Sequence, residues 1–204
     1  MGRCSVDLNM LHYGLMNTPL PPQVSYLPAW LDPLQANALF QALETEAGWK
    51  QEHIRIQGNT IALPRLTAWH GDRGYRYSGI ENTPLPWTPS LALLRDQLMT
   101  QTGATFNSVL CNFYRSGQDS VAWHADDERE LGHQPVIASL SLGGARKFSF
   151  KRKDGVGARI DLNLEHGDLL IMQGDTQKEW VHQIPKTKQS TSPRINLTFR
   201  FIRG

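Results

Sequence analysis

Apolar and polar residues alternate along much of the second half of the chain, and this pattern predicts β-strands. The two clearest runs are 159–164 and 196–201, in which every second residue is apolar. Strict alternation is typical of a strand with one buried and one polar face. Segments rich in β-branched and aromatic residues, separated by Gly, Pro and Asp, predict further strands at 106–114, 136–142, 147–151, 168–173 and 194–202.

Two segments in the first half have helical spacing instead. The first begins at Asp32-Pro33 and ends near Gly48, and the second runs from Thr88-Pro89 to Gly103. Asp and Thr are good N-cap residues, Pro is favoured in the first turn, and Gly is favoured after the last turn. We therefore predict an α+β protein. Residues 25–204 form one sandwich or jelly-roll domain braced by N-terminal helices, and residues 1–24 form a loosely ordered arm.

Composition places the chain among globular proteins. It has 204 residues, 40% of them apolar, and its 21 basic and 19 acidic residues leave a net charge of +2. These values exclude a disordered chain and a strongly basic, tail-driven nucleic-acid binder. Two cysteines are too few for a disulfide framework, and no apolar run approaches the ~20 residues that span a bilayer. We expect a monomeric cytoplasmic protein without a membrane partner.

Charge is unevenly distributed in the second half. It contains a basic run at 146–153 and an acidic cluster at 126–130. Their members are Arg146, Lys147, Lys151, Arg152 and Lys153, and Asp126, Asp127, Glu128 and Glu130. A basic run can neutralise nucleic-acid phosphates, but it can equally form a solvated strand face.

One histidine lies two residues from a carboxylate, as His124-Ala125-Asp126. In an extended segment such side chains point to the same side and can occupy adjacent positions on one metal ion. His182 has the best context for a second imidazole, between two predicted strands, whereas His133 and His166 lie in predicted turns. Two histidines and a carboxylate leave positions open for a co-substrate and O₂ on Fe(II). The alternative is an acid-rich exposed loop.

The last predicted strand places two arginines on one face. Arg194, Asn196, Thr198 and Arg200 alternate with Ile195, Leu197, Phe199 and Phe201. Inward-facing arginines are costly unless they meet anions, and a dicarboxylate would supply one carboxylate to each guanidinium. The alternative is an edge strand with a solvated basic face.

Taken together, these motifs resemble the AlkB family of Fe(II)/2-oxoglutarate-dependent dioxygenases over residues 58–202, most closely the animal homologues that act on double-stranded DNA. Five motifs occur in the family's order: Asn112-Phe113-Tyr114, His124-x-Asp126-Asp127-Glu128, Ile137-Ala138-Ser139, Glu165-His166-Gly167 and Asn196-Leu197-Thr198-Phe199-Arg200. The resemblance implies a double-stranded β-helix. It also implies demethylation of bases such as 1-methyladenine and 3-methylcytosine in DNA, which consumes 2-oxoglutarate and O₂ and releases formaldehyde, succinate and CO₂. An RNA demethylase, or a protein or small-molecule hydroxylase with the same iron core, is the alternative.

The resemblance also implies roles for individual residues. His124, Asp126 and His182 match the iron ligands. Residues that match 2-oxoglutarate contacts are Asn112, Tyr114, Arg194, Asn196 and Arg200, with Arg194 on the distal carboxylate and Arg200 near the metal-chelating end.

Substrate contacts follow from the same resemblance. Tyr77 matches an aromatic residue that stacks on the flipped base, and Asp127 and Glu128 match acids facing the base edge. Further candidate contacts are Arg65, Lys151 and Arg152, the last two with phosphates. Gln57 stands where duplex-specific relatives carry an apolar wedge, which usually replaces lost base stacking. Ile56 could take that part, so single-stranded DNA and RNA both stay open.

Overall fold

Antiparallel strands, rather than helices, make up most of the structure. We describe a computed structural model, in which the described residues are 19–56, 58–73, 75–77, 80–189 and 191–203. The strands are β1 (Val24–Leu27), β2 (His53–Ile56), β3 (Asn59–Ala62), β4 (Leu66–Gly71), β5 (Tyr75–Tyr77), β6 (Ile80–Asn82), β7 (Ser108–Tyr114), β8 (Val121–His124), β9 (Ile137–Gly143), β10 (Arg146–Arg152), β11 (Ile160–Leu164), β12 (Leu169–Met172), β13 (Trp180–Ile184) and β14 (Arg194–Arg200). The helices are α1 (Pro33–Glu46), α2 (Pro89–Thr102) and the short α3 (Thr176–Glu179).

Two sheets pack against each other as a jelly roll. The larger sheet has the strand order β1-β12-β9-β14-β7-β4, and the smaller has the order β11-β10-β13-β8. Apolar residues from both sheets form one buried cluster, which includes Phe150 and Leu164 from the smaller sheet and Ile137 and Leu170 from the larger. Two hairpins, β2–β3 and β5–β6, stand apart from these sheets.

A second apolar cluster lies on the other side of the larger sheet, under the helices. Leu43 of α1 and Leu98 of α2 are completely buried there, together with Val109, Leu140 and Leu197 from three strands. Because this face of the sheet is covered by helices and the opposite face by the smaller sheet, every residue of β14 is buried. No helix in the described part of the chain is long and apolar enough to cross a membrane.

Local chemistry explains where the two long helices begin. Asp32 accepts hydrogen bonds from the backbone N–H groups of Leu34 and Gln35, and Thr88 accepts one from Leu91. Gly103 ends α2 in the left-handed region, at φ 67°. Both predicted helices are confirmed, although α1 ends at Glu46, two residues before Gly48.

Six strands predicted from alternation or composition are confirmed, namely β7, β9, β10, β11, β12 and β14, with ends that differ by one or two residues. Two expectations are wrong: Phe201 is 43% exposed, and His182 lies inside β13 rather than between strands. The alternative that the last strand lies at an edge is excluded, because β14 lies between β9 and β7. Residues 1–18 of the predicted arm lie outside the described residues, so the domain boundary stays a prediction.

A buried carboxylate connects the N-terminal segment to the sheet. Asp168 is 3% exposed and accepts hydrogen bonds from the Tyr26 hydroxyl at 2.6 Å, the Ala29 N–H at 2.9 Å and the Glu165 N–H at 2.7 Å. Burial raises the pKa of Tyr26, and the Asp168 carboxylate raises it further, so this phenol stays a donor. Asp168 therefore fixes β1 and the chain leading to α1.

Asp168→Ala should lower the free energy of unfolding by roughly 3 kcal/mol, because three donors lose their acceptor. Tyr26→Phe should cost about 1 kcal/mol, since one hydrogen bond is lost. Urea denaturation measures both. Asp96→Ala, at a carboxylate that is 63% exposed, is the control and should change stability by less than about 0.5 kcal/mol. Equal losses for Asp168→Ala and Asp96→Ala would contradict this role.

Candidate metal centre and co-substrate site

Two imidazoles and one carboxylate converge between the sheets. His124 ends β8 and lies directly opposite His182 of β13 in the antiparallel register, so both rings project from the same face of the smaller sheet. Asp126 follows two residues later. One ligand atom from each of His124, Asp126 and His182 lies within 4.8 Å of the others. The structure therefore brings together the three side chains that the sequence singled out.

The two histidines are held so that each can offer a ring nitrogen lone pair. The Nδ1 of His124 lies 2.8 Å from the Ala122 carbonyl oxygen; a proton donated there leaves Nε2 unprotonated. Burial is the main cause that lowers the pKa of His182 to about 3. His182 is therefore neutral at physiological pH, as a metal ligand must be. Phe148 stacks on its ring at 5.2 Å between centroids.

Asp126 supplies an ionised carboxylate in a buried place. It is 1% exposed, and burial alone would raise its pKa, but the Arg200 guanidinium and the two imidazoles outweigh burial and hold the pKa at about 2. Arg200 Nη2 lies 2.9 Å from Asp126 Oδ2. Within the described chain, the other oxygen, Oδ1, is buried without a hydrogen-bond partner. An oxygen in that state, facing two imidazoles, fits a bound metal ion.

A stripe of buried polar residues crosses the inner face of the larger sheet beside these ligands. Register places Asn196 of β14 opposite Asn112 on one side and Ser141 on the other, and places Arg194 opposite Tyr114. We call this set the polar stripe: Asn112, Tyr114, Ser139, Ser141, Arg194, Asn196, Thr198 and Arg200. All of its members except Ser141 line one cavity together with the three ligands.

Arg194 is the part of the polar stripe with the largest unmet hydrogen-bonding capacity. It is 1% exposed, and Nη2 donates to Ser141 Oγ at 2.9 Å. Its Nε and Nη1 are buried and have no hydrogen-bond partner among the residues described. Burial lowers its pKa to about 10, so the guanidinium stays protonated at neutral pH. A buried cation with two unused donors fits a bound carboxylate.

The remaining candidate co-substrate residues lie in the same cavity. Arg65, expected to contact substrate, is 4% exposed and its Nε donates to Asn112 Oδ1 at 2.7 Å. The side-chain amide of Asn196 makes two hydrogen bonds: its Nδ2 donates to Ser139 Oγ, and its Oδ1 accepts from the Thr198 hydroxyl. Tyr114 lies beneath the Arg194 guanidinium, 5.2 Å from ring centroid to Cζ. The cavity thus contains all five predicted co-substrate residues.

The predicted base contacts lie near the cavity or outside the described part of the chain. Asp127 is exposed and pairs with Lys153 at 2.7 Å, and Glu128 is half-buried. Gln57 lies outside the described residues. The Tyr77 backbone belongs to β5, but its side chain is also outside the description. These four assignments stay predictions.

The basic run does not act as one surface, which corrects the expectation from its sequence. Arg146 is 3% exposed and donates to three backbone carbonyls. Arg152 pairs with Asp154 and Glu179. Lys151 differs, because its Nζ lies 4.4 Å from the Trp123 ring centroid and it has no carboxylate partner among the described residues. Lys151 is therefore the member of the run with an uncompensated charge.

Some residues of the site were missed by sequence reasoning. Ser139 and Ser141 could have been found, because they are the polar positions of an otherwise apolar strand. Phe148 and Gln177 carried no such signal, since an apolar strand residue and a lone glutamine are common outside functional sites.

Comparisons with known proteins agree with this geometry. Residues 23–200 match the 2OG-Fe(II) oxygenase superfamily. The chain is 44% identical over 189 residues to bovine alpha-ketoglutarate-dependent dioxygenase alkB homolog 3, covering 88% of this chain and 66% of that protein. It is 41% identical over 180 residues to mouse DNA oxidative demethylase ALKBH2, covering 82% of this chain and 75% of that protein.

A solved structure of OsALKBH1 superposes with a TM-score of 0.66 at 19% identity, covering 90% of this chain and all of that one. The double-stranded β-helix, or jelly-roll, fold is thereby confirmed. The chain belongs to the 2OG-Fe(II) oxygenase superfamily and, within it, to the AlkB family. The family's cofactors are Fe(II), 2-oxoglutarate and O₂, and the unpartnered Asp126 oxygen and Arg194 donors fit the first two.

Arg200→Met should destabilise the metal-free protein by about 3–5 kcal/mol, because it leaves the Asp126 carboxylate buried without its cation. Adding Asp126→Asn to the same chain removes the stranded charge, so the double variant should be more stable than Arg200→Met alone. Urea denaturation without metal measures both. Strictly additive losses would show that this ion pair does not determine the electrostatics of the site.

Proposed function

We propose that the protein demethylates N-alkylated nucleobases in DNA by Fe(II)- and 2-oxoglutarate-dependent oxidation. The observation that carries the proposal is one cavity that joins the ligand set His124, Asp126 and His182 to the unpaired donors of Arg194. The printed names of the relatives support the chemistry: one is called an alpha-ketoglutarate-dependent dioxygenase and another a DNA oxidative demethylase. Since the chain spans only 66% of the first of these, substrate and activity are proposed rather than transferred.

The reaction balances without a further reductant. Iron, when bound, couples oxidation of 2-oxoglutarate to hydroxylation of a C–H bond. One oxygen atom of O₂ enters succinate as CO₂ leaves, and the other enters the N-methyl group. The N–C bond of the resulting hydroxymethyl group then breaks, which releases formaldehyde and the unmethylated base. A cationic methylated base becomes neutral when formaldehyde leaves, because its positive charge is released as one proton.

The chain's own residues position the reactants and exclude water. His124, Asp126 and His182 would hold the metal, and Arg194 would hold the distal carboxylate of the co-substrate through Nε and Nη1. Asn112 and Tyr114 flank that position on the neighbouring strand β7, and Asn196 flanks it on β14 itself. Every member of the polar stripe is buried, so these hydrogen bonds form away from bulk water, where they are strongest.

Recognition of the base is proposed for the acidic residues that follow Asp126 and for the other substrate contacts expected from the sequence. A base methylated at N1 of adenine or N3 of cytosine is cationic, so carboxylates at Asp127 and Glu128 would favour it over the neutral normal base. Tyr77 would stack on the flipped base, and flipping is needed because the methyl group must leave the stack to reach the metal. Lys151 would bind a phosphate of the nucleic-acid backbone, because it has no carboxylate partner among the described residues. In a duplex, Gln57 or Ile56 would fill the gap that the flipped base leaves in the stack.

An RNA demethylase and a protein or small-molecule hydroxylase remain the alternatives, and one assay separates them. Formaldehyde and succinate are measured with single-stranded DNA, duplex DNA and RNA oligonucleotides carrying 1-methyladenine, with unmethylated controls, and with peptides. We expect release of both products with methylated DNA and no formaldehyde with unmethylated strands. Succinate release stimulated by peptides alone would contradict nucleobase demethylation, and a preference for RNA would replace DNA as the substrate.

Arg194→Ala should raise the KM for 2-oxoglutarate about 30-fold or more, because a charge-assisted contact worth about 2 kcal/mol is lost. Arg194→Lys should fall between this variant and the wild type, since it restores the charge without the fork. Arg159→Ala removes an exposed arginine that pairs with Asp161 and should leave the KM unchanged. An unaltered KM in Arg194→Ala would mean that another residue anchors the co-substrate.

Cytoplasmic localisation, a monomeric state and the absence of a membrane partner stay predictions. Size-exclusion chromatography with light scattering tests the second of these directly.

A further inference from the structure

A buried glutamine connects the metal-ligand loop to the core. Gln177 lies on α3 and is 2% exposed. Its Oε1 accepts a hydrogen bond from the backbone N–H of Asp126 at 2.9 Å, and its Nε2 donates to Met172 Sδ at 3.4 Å. Both ends of one side-chain amide are thus used, one on the residue that supplies the carboxylate ligand and the other on β12.

The segment that Gln177 contacts has little other support. Asp126 lies just after β8, in a stretch without helix or strand, so no β-ladder fixes its backbone. Among the described residues, its carboxylate accepts hydrogen bonds from one side, from Arg200 at Oδ2. The hydrogen bond that the Asp126 N–H donates to Gln177 fixes the main chain, and the ion pair with Arg200 fixes one carboxylate oxygen. With both in place, Oδ1 is left facing the two imidazoles.

The same glutamine also connects two ligand-bearing segments. Gln177 precedes His182 by five residues, and α3 leads directly into β13. The helix is itself fastened, because Thr176 Oγ1 donates to the Gln173 carbonyl at 2.6 Å. A hydrogen bond from Asp126 to α3 therefore sets the position of the Asp126 loop relative to the strand that carries His182.

We propose that Gln177 is a positioning residue of the metal centre: it holds the backbone of Asp126 so that Oδ1 faces His124 and His182 before the metal binds. Partners that orient metal ligands in this way typically change metal affinity by 10–100-fold when they are removed. The inference rests on the proposed metal centre but not on the identity of the nucleic-acid substrate.

The test uses Co(II) as the probe and needs no substrate. Gln177→Met keeps the size of the side chain but leaves the Asp126 N–H without its acceptor. We expect the dissociation constant for Co(II), measured by titration calorimetry, to rise about 10–100-fold. We also expect the visible absorption of bound Co(II) at saturation to change, because the carboxylate is no longer fixed in place.

Gln23→Met is the matched control. Gln23 Oε1 also accepts a backbone N–H at 2.9 Å, from Asp175, two residues before Gln177. This variant loses the same kind of bond beside the same helix, but not on a metal ligand. It should therefore keep the wild-type Co(II) affinity and absorption spectrum, whereas an effect that arises from a general loosening of α3 would change both in this variant as well.

Gln177→Glu tests rescue and covers the case in which Gln177→Met fails to fold. The glutamate retains an oxygen that can accept the Asp126 N–H, so the spectrum of bound Co(II) should match the wild type. Wild-type affinity and spectrum in Gln177→Met would overturn the proposal, as would an altered spectrum in Gln177→Glu or an equal loss in Gln23→Met. A wild-type protein that does not bind Co(II) would overturn the metal centre itself, and the inference with it.

Discussion

The buried ion pair between Arg200 and Asp126 is the interaction on which the rest of the site depends. Arg200 ends the central strand of the larger sheet, and Asp126 follows the edge strand of the smaller one, so this 2.9 Å contact bridges the two layers at the cavity. Without the guanidinium, burial would favour a protonated carboxyl group. With it, Asp126 stays ionised and offers one oxygen towards the two imidazoles.

Burying a stripe of polar residues between two apolar sheets is unfavourable unless those residues form hydrogen bonds, and most of them do. Asn196 donates to Ser139 on the neighbouring strand β9 and accepts a hydrogen bond from Thr198 on its own strand, as buried polar groups generally must. The exceptions are concentrated where the cofactors fit, at the Asp126 Oδ1 and at the Arg194 Nε and Nη1. The unmet hydrogen-bonding capacity of the site therefore indicates the position of the metal and of the co-substrate carboxylate.

Much of the fold could be predicted because two strands alternate strictly and the others are rich in β-branched and aromatic residues between Gly, Pro and Asp turns. The same alternation placed Arg194 and Arg200 on one face of β14, and the spacing of His124 and Asp126 indicated a shared direction. Eight strands in the described part of the chain were not predicted, and most of them are short. Four of them form the β2–β3 and β5–β6 hairpins, whereas β8 and β13 pair with strands that lie far away in sequence. Register across strands, such as His124 opposite His182, depends on that long-range pairing and is invisible in local patterns.

The environment of the charged residues could not be predicted from local sequence either. Five clustered cations appeared to be one surface, yet Arg146 is buried against backbone carbonyls and Arg152 is neutralised by two acids. Conversely, Gln177 lies 51 residues from Asp126 in sequence, and only folding brings the two together. Composition shows which charges exist, but three-dimensional packing decides which of them remain available to a ligand.

The central claim is that one cavity holds a metal on His124, Asp126 and His182 and a dicarboxylate on Arg194. A crystal structure of the protein with Mn(II) and 2-oxoglutarate, grown without O₂, tests it most directly. The account predicts Mn(II) bound to one nitrogen of each histidine and to Asp126 Oδ1, with the distal carboxylate of 2-oxoglutarate on Arg194 Nε and Nη1. A metal bound elsewhere, or a distal carboxylate that does not contact Arg194, would contradict it.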